Sequence, residues 1–153
     1  MAGRSSSPLS ERWVASHDGY TRLKHPVTHR RELLFEKEHS RLQVTDELLG
    51  GGTHEVEIFW HFAERCAVET DGAGVRATCK DVALSVSIPD GLRCEIRRGV
   101  ERPEPAGWIS RSFDDRQPTT TVVMSGRITG AARFVTRLSI HFAGEVARAS
   151  PAA

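Results

Sequence analysis

The chain has 153 residues, 39% of them apolar and 27% charged, with a formal net charge of +1. That size suits one domain with a core of its own. The near-neutral balance argues against holding nucleic acid by phosphate neutralisation, and no apolar run approaches the roughly 20 residues of a membrane-crossing helix. Neither nucleic acid nor membrane is therefore expected as a partner, whereas an acidic polysaccharide would need only a local basic patch.

Residues 1–10 are Ser-rich and read as a disordered tail, with a domain over 11–145 and a second tail over 146–153. The opening segment Met1–Pro8 has no hydrophobic signal core, so the chain as written carries no export address and its compartment stays open. Arg12 to His17 reads as a first strand, with Trp13 and Ala15 on one face, and Asp18-Gly19 as a turn. Pro26 holds His25 extended. Val27 to Lys37 gives a second strand, with Leu33 and Phe35 inward, and Leu42, Val44 and Leu48 mark a third. Gly50-Gly51-Gly52 ends that strand.

The clearest alternation follows. Val56, Ile58, Trp60 and Phe62 share one parity, and Glu55, Glu57 and His61 share the other. A strand collects such a set on one face, whereas a helix scatters it. Asp71-Gly72-Ala73-Gly74 reads as a hairpin loop between Cys66–Thr70 and Val75–Cys79. Val82, Leu84, Val86 and Ile88 form another inward row, followed by Leu92, Cys94 and Ile96. Arg97 to Pro105 reads as a loop and Trp108 to Phe113 as a strand end or edge. Thr119 to Ile128 is a Thr/Val-rich strand, and Phe134, Leu138, Ile140 and Phe142 make a last inward row. About ten short strands without an amphipathic helix predict an all-β chain, an antiparallel β-sandwich.

Three cysteines, Cys66, Cys79 and Cys94, fall on apolar phases and read as small buried hydrophobes. The alternative is a Cys79–Cys94 bridge. His25 and His29 are four apart, but four strand residues span ~13 Å, too far for two ligands at ~2 Å from one zinc. No metal and no cofactor is expected; a cross-strand site joining His29 to His54 or His61 would overturn that. His61, within Phe59-Trp60-His61-Phe62, reads as a sheet-face histidine or a sugar contact. Ser16-His17-Asp18-Gly19-Tyr20 reads first as a turn with Tyr20 at its edge. Beside it stand the charged groups Arg22, Lys24, Arg30 and Arg31 together with His29.

Ala15–Tyr20, Val27–Phe35, Leu42–Leu48 and Glu55–Phe62, in that order, resemble the carboxyl-terminal β-sheet part of the heparinase II/III-like polysaccharide lyases. The resemblance implies a lyase that cleaves uronate-containing acidic polysaccharide by β-elimination. It also implies a helical toroid, in cis or in trans, that carries much of the cleft and supplies the usual Tyr base and substrate-positioning Asn. The family's His-Asn-Thr/Ser motif is not in this chain, so no catalytic residue carries over. The positions around the entry turn, His17, Tyr20, His29 and Arg30, are the expected substrate-binding residues. Parent proteins of this kind are often periplasmic or secreted. The alternative is a stand-alone sandwich that binds carbohydrate or protein.

Overall fold

The computed structural model describes residues 2–70 and 72–142. The expected tail at 146–153 lies outside the described residues. Within them are thirteen strands and no helix. They are β1 (Ala2–Ser6), β2 (Ser10–Tyr20), β3 (Val27–Glu36), β4 (Arg41–Gly50), β5 (Thr53–His61), β6 (Ala67–Thr70), β7 (Gly74–Cys79), β8 (Val82–Ser87), β9 (Arg93–Arg98), β10 (Trp108–Ile109), β11 (Gln117–Pro118), β12 (Thr120–Thr129) and β13 (Ala132–Phe142). Eight form one sheet in the order β1-β2-β3-β4-β13-β8-β7-β6, three form a second in the order β5-β12-β9, and β10 pairs with β11.

The chain changes sheet after β4, at Gly50–Gly52. Gly52 has φ +81°, and a Cβ there would lie 2.3 Å from the His25 ring, so only glycine fits this corner. Its carbonyl accepts from the Gly130 N–H at 2.7 Å, tying the β4–β5 corner to the β12–β13 turn.

The core lies between the two sheets. Val44, Val75, Val86, Phe134 and Leu138 of the larger sheet meet Ile58, Val122 and Met124 of the smaller one. This is the face-to-face antiparallel sandwich that the alternating patterns predict. Parity on β5 is as read: Ile58 is buried while Glu55, Glu57 and Phe59 are exposed. On β13 the inward row fades. Phe134 and Leu138 are buried, but Ile140 and Phe142 are 36% and 49% exposed, beside Leu84 and Val82 of β8.

The first ten residues, read as a disordered tail, contain β1. It pairs with β2 from Ala2↔Ala15 to Ser6↔Glu11. All five of its residues are exposed, so no apolar row announces it. Backbone hydrogen bonds and Arg4, whose guanidinium lies 5.6 Å from the centroid of the Trp13 ring, hold it to the sheet. The Arg97–Pro105 loop begins later than expected, because β9 runs on to Arg98 and Val100 bridges to Ala106.

Candidate functional site

Asp18-Gly19 does not close a hairpin. β2 continues to Tyr20 through a bulge: His17 faces His29, and the next pair is Tyr20 with Val27. Three steps along β2 thus match two along β3. Such an insertion re-aims a side chain. Without it, Tyr20 would point away from His17, because residues three apart in a regular strand lie on opposite faces. With it, both share the face of His29 and Val27, and the His17 and Tyr20 rings meet edge-on at 5.2 Å between centroids.

From this bulge a hydrogen-bond chain runs across three strands. Gly19 N–H donates to His17 Nδ1 at 3.2 Å. His17 Nε2 lies 3.1 Å from His29 Nδ1, and His29 Nε2 lies 2.6 Å from Asp46 Oδ1. The two fixed ends set the direction. Gly19 can only donate, so His17 Nδ1 accepts and its Nε2–H donates to His29 Nδ1. His29 Nε2–H then donates to the carboxylate. Both imidazoles are accordingly Nε2–H tautomers in their neutral form.

Arg31 completes the far end, with Nε donating to Asp46 Oδ1 at 2.6 Å and Nη2 to Oδ2 at 3.0 Å. Asp46 is 3% exposed, and a buried carboxylate is costly unless donors surround it. His29 and the Arg31 fork meet that need. The Arg31 side chain is 44% exposed and carries the site to solvent. His29, Arg31, Asp46 and Tyr20 line an open cleft of about 520 Å³ between the larger sheet and the edge of β5. His54 and Phe59 lie on the opposite wall.

Of the four residues expected to bind substrate, the fold brings His17, Tyr20 and His29 together. Arg30 points to the other face of the sheet. There it bonds Glu47 and reaches Glu32 at 3.4 Å. Arg12 grips the same Glu32 at 2.7 Å, and Arg133 reaches Glu47 at 3.8 Å. Arg12 is the main cause holding the Glu32 carboxyl below its ordinary value. Strand alternation alone separates Arg30 from His29 and Arg31.

Asp46 is the residue that pattern reading passed over, and Arg31 was read only as one of several charges beside the turn. Each stands on an apolar parity, Asp46 in line with Val44 and Leu48 and Arg31 with Leu33. A charge inside such a row was the available signal.

Of the other histidines, His25 and His54 meet edge-on with ring centroids 6.3 Å apart. His61 Nδ1 lies 3.0 Å from Thr121 Oγ1, and its ring is parallel to Phe59 with centroids 6.3 Å apart. His54 Nε2 meets the Gly51 carbonyl oxygen at 2.9 Å. Among the described residues no group of three or more His, Cys, Asp or Glu is arranged to hold a metal ion. All three cysteines are free thiols. Cys94 sits against the core, where burial pushes its thiol up, and its strand belongs to the other sheet from Cys79.

The fold and cleft define a class: an antiparallel β-sandwich with a histidine-bearing cleft of mixed charge at the border of its two sheets, where Arg31, Arg93 and Arg97 stand among Asp46, Glu55, Glu57 and Glu95. The family follows from comparison. The model of the family described as Heparinase II/III-like, C-terminal, matches residues 4–140, and the chain belongs to that family. Its fold superposes on heparan sulfate lyase HepC from Pedobacter heparinus with a TM-score of 0.73 and 15% identity, over 92% of this chain and 22% of that one. A heparinase III structure superposes with a TM-score of 0.70 and 14% identity, over 91% of this chain and 21% of that one. This chain thus spans about a fifth of the length of these proteins. No curated protein matches it in sequence.

Proposed function

We propose that this chain is the β-sandwich part of a polysaccharide lyase that acts on uronate-containing acidic polysaccharide by β-elimination. In this reading it works beside a helical toroid, supplied in cis or in trans, and does not turn over substrate alone. Membership of the family over residues 4–140 carries the reading. The likeness in fold to a fifth of a heparan sulfate lyase supports it.

The chemistry of the cleft agrees. β-Elimination needs a base for the proton α to the uronate carboxyl group, an acid for the leaving oxygen, and a cation facing the charge that develops on the carboxylate. Arg31 offers that cation at the cleft wall, oriented by its two-point grip on Asp46. Tyr20, 44% exposed, offers a ring face and a phenol to a sugar. The Gly19–His17–His29–Asp46 chain fixes the side chains that flank them. Both ring nitrogens of His17 and of His29 are engaged within this chain, so these imidazoles position the wall and do not attack substrate.

The test is to incubate the purified chain with heparan sulfate and with alginate, and to follow both binding and the ultraviolet absorbance of unsaturated product. Binding to at least one polymer without product is expected, with product appearing once a lyase toroid half is added. Turnover by the chain alone would contradict the need for a toroid. Failure to bind either polymer, with no product after the toroid is added, would contradict the lyase reading.

A further inference from the structure

A second chemical cluster lies at the opposite edge of the larger sheet. β6 is that edge, only four residues long, and pairs with β7 from Thr70↔Val75 to Ala67↔Thr78. One register step further sets Cys66 opposite Cys79. Because side chains alternate, both thiols share a face with Val68 and Ala77. Directly opposed residues of an antiparallel pair have Cα atoms ~4.5–5.5 Å apart, inside the ~4.4–6.8 Å range that a disulfide spans. Each thiol is therefore the other's cross-strand neighbour. Both are half-buried and within reach of small molecules. Arg65 Nε donates to Cys79 Sγ at 3.2 Å, so a positive charge faces that sulfur.

We propose that Cys66 and Cys79 are a cross-strand thiol pair that closes to a disulfide by exchange with a small-molecule disulfide such as oxidised glutathione. Cys79, facing Arg65, attacks first. Its thiolate forms a bond to one glutathione sulfur, and the other glutathione leaves as a thiolate. Among the described residues Cys66 has no such cation on its sulfur, burial pushes its thiol up, and it acts second. Cys66 then gives its proton to solvent and attacks the Cys79 sulfur, and the second glutathione leaves. Two protein thiols and one oxidised glutathione become one protein disulfide and two glutathione thiols. The bond clips the short edge strand to β7. It also anchors the Phe62–Cys66 crossover, which Arg111 already holds through a two-point bond to Glu64, 2.9 Å on each oxygen.

The experiment treats the chain with oxidised glutathione, alkylates it under denaturing conditions, and maps tryptic peptides by mass. The expected product joins Cys66–Arg76 to Ala77–Lys80 and leaves only Cys94 alkylated. Cys94→Ser should keep the link. Cys66→Ser should stop the reaction with Cys79 carrying one glutathione. Oxidised wild-type protein should melt about 5 °C or more above the reduced form, and Cys66→Ser should lose that difference. Alkylation of both Cys66 and Cys79 after oxidation, or a link that includes Cys94, would overturn the proposal.

Discussion

Replacing Asp46 by Ala removes the acceptor on which the His–His chain ends. His29 loses the partner of its Nε2–H, and with a side chain only 18% exposed it has limited access to water. A buried donor left unmet costs about 1–3 kcal/mol. Arg31 loses both its bonds but is 44% exposed and re-hydrates, so that part should stay below about 1 kcal/mol. Removing the carboxylate also relieves its own burial cost, which offsets part of the loss. The sum points to about 2–3 kcal/mol, or roughly 5–10 °C in Tm for a domain of this size.

Glu47→Ala is the internal control. Glu47 is the next residue along β4 and also holds an arginine, but on the opposite face, with its side chain 27% exposed. Its loss should cost below about 1 kcal/mol. Urea unfolding followed by circular dichroism measures both variants. Nitrogen NMR of the imidazoles adds a local readout: His17 and His29 should be neutral Nε2–H tautomers in the wild-type protein at a pH where both are deprotonated, and Asp46→Ala should release His29 from that state. Equal destabilisation by the two substitutions, or an Nδ1–H tautomer at His29 in the wild type, would refute the directed chain.

Three further outcomes are expected. Arg31→Ala should weaken binding of an acidic oligosaccharide about tenfold, the equivalent of one charge-assisted contact, while Arg30→Ala, on the far face, should leave it within about twofold; calorimetric titration compares them. Glu64 is held down to about 2 from an ordinary 4.5, first by its bonds to Arg111 and then by its own backbone N–H. A lowered carboxyl contributes stability that is complete above its unfolded value and is lost as pH falls through the folded one. Carboxyl NMR should therefore place the Glu64 midpoint near 2, and Arg111→Gln should move it toward 4.5; an unmoved midpoint would discount the pair. Gly107 has φ +73°, and a Cβ there would lie within 2.6–2.7 Å of Arg97 O, Arg98 Cα and Thr119 O. Gly107→Ala should cost about 3 kcal/mol, whereas Gly51→Ala, with nothing within 4 Å, should be nearly neutral in thermal melts.

The sandwich was legible where one face is buried and the other wet. Glu55 to His61 shows this best, because the period-two row maps directly onto the smaller sheet's inner face. It was less legible at the margins of the core. β1 is bound through its backbone, so its Ser and Gly residues carry no pattern. β12 is closed on both sides, with Val123 1% exposed between Phe59 and Glu95, and reads as a continuous buried run. Ile140 and Phe142 keep the inward parity of β13 but stay exposed.

The site was half legible for one reason. The composition of Ser16–Tyr20 flagged a segment that borders the cleft, but Asp-Gly signals a turn and a bulge almost equally. Only the pairing with β3 shows the extra residue that turns Tyr20 toward His17. Arg30 and Arg31 are indistinguishable by type, and the strand phase decides between them. Asp46 is distant in sequence, so its role emerges only from the register of β3 against β4.

The central claim is that the cleft wall built by Tyr20, His29 and Arg31 is where acidic sugar meets this domain. Residue-resolved NMR with a heparan sulfate oligosaccharide of defined length tests it most directly. Saturable shifts confined to the side chains of Tyr20, His29 and Arg31, with Arg30 and Glu47 unmoved, are the expected result. Shifts centred on Arg30 and Glu47, or on His61 and Thr121 alone, would contradict it.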